Sequence, residues 1–124
     1  METITEFNGE YDFLDNAYVA HIKIGTNFYM CAEAAYQAMR ISDPSMRGMF
    51  SGMHAKEARV IGMFMPERKD WDDVKWNVLL DITREKFKQN PVLLDKLSKT
   101  GDSYINDDFL GKILMVVRQE LCVS

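Results

Sequence analysis

Apolar positions recur at helical spacing along most of the chain and alternate over one stretch only. The longest helical pattern runs from Trp71 to about Gln89. Trp71, Val74, Val78, Ile82 and Phe87 form its inner stripe, with Lys75, Arg84, Glu85 and Lys88 outside. Leu110, Ile113, Leu114, Val117 and Leu121 repeat the pattern near the end of the chain. A helix over 54–65 turns Ala55, Ala58, Ile61 and Gly62 inward, and a short one over 92–98 ends at Gly101. Residues 44–52 read as a weak helical turn interrupted by glycine. Polar residues mark the starts: Asp43 before Pro44, Asp70 before Trp71 and Asn90 before Pro91 are cap signals, and Asn106 or Asp107 can cap the last helix.

The alternation lies at 18–24, where Tyr18, Ala20, Ile22 and Ile24 share one face. Gly25-Thr26-Asn27 makes a turn and Phe28-Tyr29-Met30 returns, which predicts an antiparallel hairpin. Thr3 to Phe7 reads as a short strand before the Asn8-Gly9 turn. Residues 10–18 mix aromatics with Asp and Asn and predict a structured loop; residues 102–108 predict a polar one. The expected fold is mainly α, a compact multihelical single domain over 1–124 with a small N-terminal β-hairpin.

Composition narrows the function classes. The 124 residues are 47% apolar and 11% aromatic, enough for a packed core. Nine methionines suit irregular gaps between helices. A net charge of −4 disfavours broad binding to nucleic-acid phosphate, which needs a basic face. Cys31 and Cys122 lack metal or disulfide spacing, and Cys31, among apolar neighbours, reads as a buried thiol. His21 and His54 lack partners at ligand spacing. No metal or cofactor is indicated. Apolar runs fall far short of the ~18 residues a membrane span needs, and Glu2, Glu6 and Glu10 break any apolar leader. The expectation is a cytoplasmic protein with no membrane partner.

The chemistry centres on Ala32-Glu33-Ala34-Ala35-Tyr36-Gln37-Ala38-Met39-Arg40. Small residues there let neighbouring backbone approach, while Glu33, Gln37 and Arg40 share one helical face. Two readings stand. Glu33 is a first-turn carboxylate favoured by the helix dipole, or it is a catalytic carboxylate with Gln37 as its hydrogen-bonding partner. Enclosure by Ala and aromatic residues would raise its pKa and the helix N-terminus would lower it.

An ordered set of short stretches resembles one family. It comprises Phe13-Leu14-Asp15-Asn16, Gly25 and the Glu33 helix, then Arg68-Lys69-Asp70-Trp71 with Lys75. Lys86-Phe87, Thr100-Gly101 and Leu110-Gly111-Lys112-Ile113-Leu114-Met115 with Arg118 complete it. The set, spanning about Glu6 to Leu121, resembles the NADAR family, the YbiA-like N-glycosidases. The resemblance implies a YbiA-like helical fold and cleavage of a ribose–nitrogen bond. Family substrates include phosphoribosylated riboflavin-pathway intermediates and ADP-ribosylated guanine in nucleic acid. The family's key glutamate falls on Glu33, its loop asparagine on Asn16, its loop tryptophan on Trp71 and its aspartate on Asp107. The chain departs from the pattern after Glu33, where Ala34 replaces histidine. It departs again before Leu110, where a longer loop with a Trp-Gly pair is absent.

On this resemblance Glu33 stabilises positive charge growing on ribose and takes a proton from water. Asp107 is the second carboxylate or a helix cap, and Trp71 stacks on the substrate or packs in the core. Arg40 and Arg68 are phosphate ligands or solvated surface arginines. Asn16 bonds a ribose hydroxyl or its own turn, and Gln37 completes the substrate-binding set. The partner implied is a nucleotide-like small molecule, with an ADP-ribosylated nucleic acid as the larger option; oligomeric state is left open. Two alternatives from other classes accompany the enzyme: a non-catalytic nucleotide- or ADP-ribose-binding relative, and a small helical protein-interaction domain.

Overall fold

The long apolar stripe forms the expected helix, Trp71–Gln89, and the other elements pack around it. The computed structural model describes residues 2–122. In chain order they are β1 (Thr3–Ile4), a 3-10 helix (Gly9–Leu14), β2 (Ile22–Ile24), β3 (Asn27–Tyr29) and α1 (Ala32–Arg40). A second 3-10 helix (Pro44–Phe50), α2 (Ala55–Met63), α3 (Trp71–Gln89), α4 (Pro91–Lys99), β4 (Tyr104–Ile105) and α5 (Leu110–Leu121) follow. The fold is therefore mainly helical with little sheet.

Two apolar clusters share α3. Leu79 and Phe87 join Ile4, Phe13, Leu14, Leu97, Ile105, Ile113, Leu114 and Val117 on one side. Ile82 joins the alanines of α1, Ile22, Tyr29, Phe50 and Ala58 on the other. Tyr36 touches both. The buried Ala32, Ala34, Ala35 and Ala38 bring α1 close to its neighbours.

The hairpin is shorter than the alternation. Ile22, Lys23 and Ile24 pair with Tyr29, Phe28 and Asn27, and the amide of Ala20 donates to the Met30 carbonyl at 2.8 Å. Gly25 alone carries positive φ (+61°) in the Gly25-Thr26 loop, which defines a type II′ turn. Side chains of α3 stand in for a third strand. Gln89 Oε1 accepts from the Lys23 amide at 2.7 Å, and Gln89 Nε2 donates to the Lys23 carbonyl at 2.9 Å.

Several local expectations change. The Thr3–Phe7 strand contracts to Thr3–Ile4 and pairs in parallel with Tyr104–Ile105, inside the segment read as a polar loop. A two-residue strand has no period to detect. Residues 9–14 close into a 3-10 helix, which gives the first part of the expected structured loop over 10–18 a regular form. Asp43 caps as expected, accepting from the Ser45 amide at 3.0 Å. Asp70 makes no side-chain cap bond, because the Arg68 guanidinium captures both carboxylate oxygens at 2.7 and 3.0 Å. Asn90 makes none either; its amide donates to the carbonyls of His21 and Lys86. Among the described residues no helix is long and apolar enough to cross a membrane.

Candidate active site

The site is built where the 13–18 loop meets the head of α1. Asp15 turns the loop on itself: its Oδ1 accepts from the Ala17 amide at 2.8 Å and its carbonyl from the Tyr18 amide at 3.1 Å. This turn presents the Asn16 carbonyl to the Glu33 amide at 3.0 Å. That amide is one of the first-turn donors no helix satisfies internally, and Cys31, at the cap position, supplies no side-chain bond.

The Glu33 side chain is 12% exposed. Gln37 Nε2 donates to its Oε1 at 3.4 Å, and Arg59 Nη1, reaching across from α2, lies 3.6 Å from the same oxygen. Burial raises its pKa above the usual carboxylate value; Gln37 and Arg59 oppose that rise, and the charge of Asp15 adds to it. The polar chain continues along α1. Gln37 Oε1 accepts from Arg40 Nε at 3.0 Å, and Arg40 donates onward to Glu67 at 3.3 Å and to the Gly62 carbonyl. Glycine at 62 leaves room for Gln37 and Arg40 between α1 and α2.

The structure thus joins Glu33, Gln37 and Arg40 in one network and sets Asn16 beside them through its backbone. It holds the other expected residues differently. Trp71 is 5% exposed and packs on Tyr36, with ring centroids 4.9 Å apart. Arg68 is tied to Asp70 and donates to the Met39 carbonyl. Asp107 is exposed at the head of α5, where its Oδ1 accepts from the amides of Leu110 (3.0 Å) and Gly111 (3.4 Å). Its carboxylate therefore caps a helix, and no hydrogen bond or ion pair joins it to Glu33 among the described residues.

Arg59, Tyr36 and Lys86 were missed as neighbours of the site. Lys86 carried a signal, since Leu79, Ile82 and Lys86 fall three and four apart on the buried face of α3. Arg59 carried none, because only the packing of α2 on α1 brings it to Glu33. Cys31 is buried, as expected, and burial raises the pKa of its thiol. No group of three or more His, Cys, Asp or Glu that could hold a metal ion occurs among the described residues.

No protein-family model matches the chain. The solution NMR structure of Escherichia coli YbiA matches it with a TM-score of 0.82 at 23% identity, covering 98% of this chain and 86% of YbiA. The fold is therefore YbiA-like. A riboflavin biosynthesis protein of Vibrio vulnificus is 30% identical over 131 aligned positions, covering 88% of this chain and 35% of that protein. An N-glycosidase of Nostoc punctiforme is 28% identical over 123 positions, covering 81% of this chain and 79% of the relative. The chain thus spans about a third of the first relative and most of the second. Fold and sequence matches together support its membership of the NADAR family.

Proposed function

We propose that the chain is an N-glycosidase that hydrolyses a ribose–nitrogen bond in a nucleotide-like substrate, with Glu33 as the catalytic carboxylate. The observation that carries this reading is the enclosed Glu33, held in the first turn of α1 between Gln37 and Arg59, with its proton affinity raised by burial. Positive charge develops on the ribose ring as the C1′–nitrogen bond lengthens, and the carboxylate stabilises it. Water attacks C1′ and gives a proton to Glu33; that proton then passes to the departing nitrogen. Water's hydroxyl ends on ribose and its proton on the leaving group, so no other reactant is needed. A relative named as an N-glycosidase supports the reaction type. One named for riboflavin biosynthesis favours a phosphoribosylated pyrimidine intermediate over an ADP-ribosylated base.

A second reading, a nucleotide-binding relative without turnover, is favoured by Trp71 buried in the core and Asp107 engaged with its own helix. One assay separates the two. Purified protein is incubated with the phosphoribosylamino-pyrimidine intermediate and with ADP-ribosylated guanosine, beside Glu33→Gln. Release of ribose phosphate or ADP-ribose, abolished by Glu33→Gln, is the expected result and selects the substrate branch. No turnover of either substrate, with saturable ADP-ribose binding by calorimetry, would replace the enzyme by the binding protein.

A further inference from the structure

Lys86 is 1% exposed and sits on the inner face of α3. Its ammonium donates to the Phe13 carbonyl at 2.7 Å and to the Asp15 carbonyl at 3.1 Å. The rings of Phe87 and Tyr18 lie 5.4 and 5.9 Å from Nζ. The titratable groups facing it are Asp12 from the first 3-10 helix, Asp15 from the loop and the neutral Cys31 thiol at the head of α1, all acting through space. A buried ammonium held by neutral carbonyls is an expensive way to fill a core, where an apolar side chain of similar length is commonly as stable or more so. Its two acceptors explain the placement. They lie just ahead of Asn16, at the entry to the Asp15–Tyr18 turn, and the Asn16 carbonyl takes the Glu33 amide.

We propose that Lys86 is a positioning residue for Glu33: by clamping the Phe13 and Asp15 carbonyls it holds the Asn16 carbonyl on the Glu33 amide and so fixes the first turn of α1. The proposal rests on the N-glycosidase reading only for its effect on turnover; the clamp itself is a statement about backbone geometry. Lys86 touches no reacting atom. Its action runs through the loop, from α3 to the head of α1, and couples elements far apart in sequence. Methionine at this position would fill the volume but take the Lys86 donor from both carbonyls, leaving that of Asp15 with the Tyr18 amide alone.

The test compares the wild type with Lys86→Met by amide hydrogen exchange and steady-state kinetics. The expected result is a loss of Glu33 amide protection by at least about tenfold, with protection in α3 and α5 unchanged. In kinetics, kcat falls by at least about tenfold while KM moves by less than about threefold, as loss of a transition-state contact requires. Unchanged Glu33 protection overturns the clamp whether or not turnover is detectable. Lost protection with full kcat overturns the link to catalysis and leaves the clamp. Should the variant not fold, the wild type is titrated by NMR from pH 6.5 to 9.5. The Phe13 and Asp15 carbonyls and the Glu33 amide are expected to shift with the same midpoint as the Lys86 side chain, while α5 amides stay still. A Glu33 amide that ignores that midpoint overturns the proposal.

Discussion

At the scale of single residues, the site is kept at a cost to stability. Burial raises the pKa of Glu33, so the folded protein holds that proton more tightly than the unfolded chain. Stability from this group is complete at low pH and declines as pH rises from the usual carboxylate value through the raised one. At pH 7 the ionised carboxylate is therefore a burden. Glu33→Gln, while abolishing turnover, is expected to raise Tm at pH 7 by on the order of 2 °C. The gain should vanish near pH 3.5, where wild-type Glu33 is itself neutral; thermal melts at the two pH values check it.

Lys86 has the opposite sign. Burial pushes its pKa down to about 8, below the ordinary lysine value, so the unfolded chain binds the proton more tightly. Stability from this group rises with pH above about 8, on the order of 1 kcal/mol per pH unit. Urea titrations between pH 8 and 9.5 are expected to give a more positive slope of unfolding free energy against pH for wild type than for Lys86→Met. Equal slopes would mean that Lys86 keeps its proton in the folded protein across this range, so that burial does not lower its pKa.

At the scale of elements, two glycines sit at close helix contacts and should respond differently. A Cβ at Gly111 would press on the Ile105 carbonyl, a backbone atom of β4. One at Gly62 would meet the amide end of Gln37 and the tip of Arg40, both flexible side chains. Gly111→Ala is expected to destabilise by about 1–3 kcal/mol, because the strand must shift. Gly62→Ala is expected to change stability by less than about 1 kcal/mol, since alanine's better helix propensity offsets the displaced side chains. It should still lower kcat, because Gln37 cannot keep its bond to Glu33. Urea melts and turnover assays on the pair separate these outcomes.

Element boundaries were legible where the period was long. The stripe from Trp71 to Phe87 and the one from Leu110 to Leu121 each repeat over several turns, and both helices formed as expected. The caps at Asp70 and Asn90 failed for a local reason. Each residue type suits an N-cap, but a nearby guanidinium took one side chain and backbone carbonyls took the other. A cap signal records what a side chain can bond, whereas the fold decides which partner reaches it.

At the scale of the whole molecule, the N-terminal strand is locked in by packing. Ile4 is 2% exposed and Ile105 fully buried, and both belong to the cluster that includes α5. Ile4→Ala is expected to cost about 2–5 kcal/mol, the usual range for a buried Ile or Leu cut back to Ala. A urea midpoint within error of wild type would mean that β1 packs loosely.

The sequence by itself determined the helices, the hairpin face and the first-turn position of Glu33, because each is set by spacing of 2.0 or 3.6 residues along a local stretch. It also brought Glu33, Gln37 and Arg40 onto one face, since they share a helix. Tertiary structure alone decided the rest. It brought Arg59 from α2 to Glu33, put Lys86 under the Asn16 loop and paired β1 with β4. It also buried Trp71 against Tyr36 and turned Asp107 onto the amides of α5. The physical reason is range. Periodicity reports which side of an element is apolar, but the partner a polar group meets depends on how separate elements dock, and no local spacing carries that information.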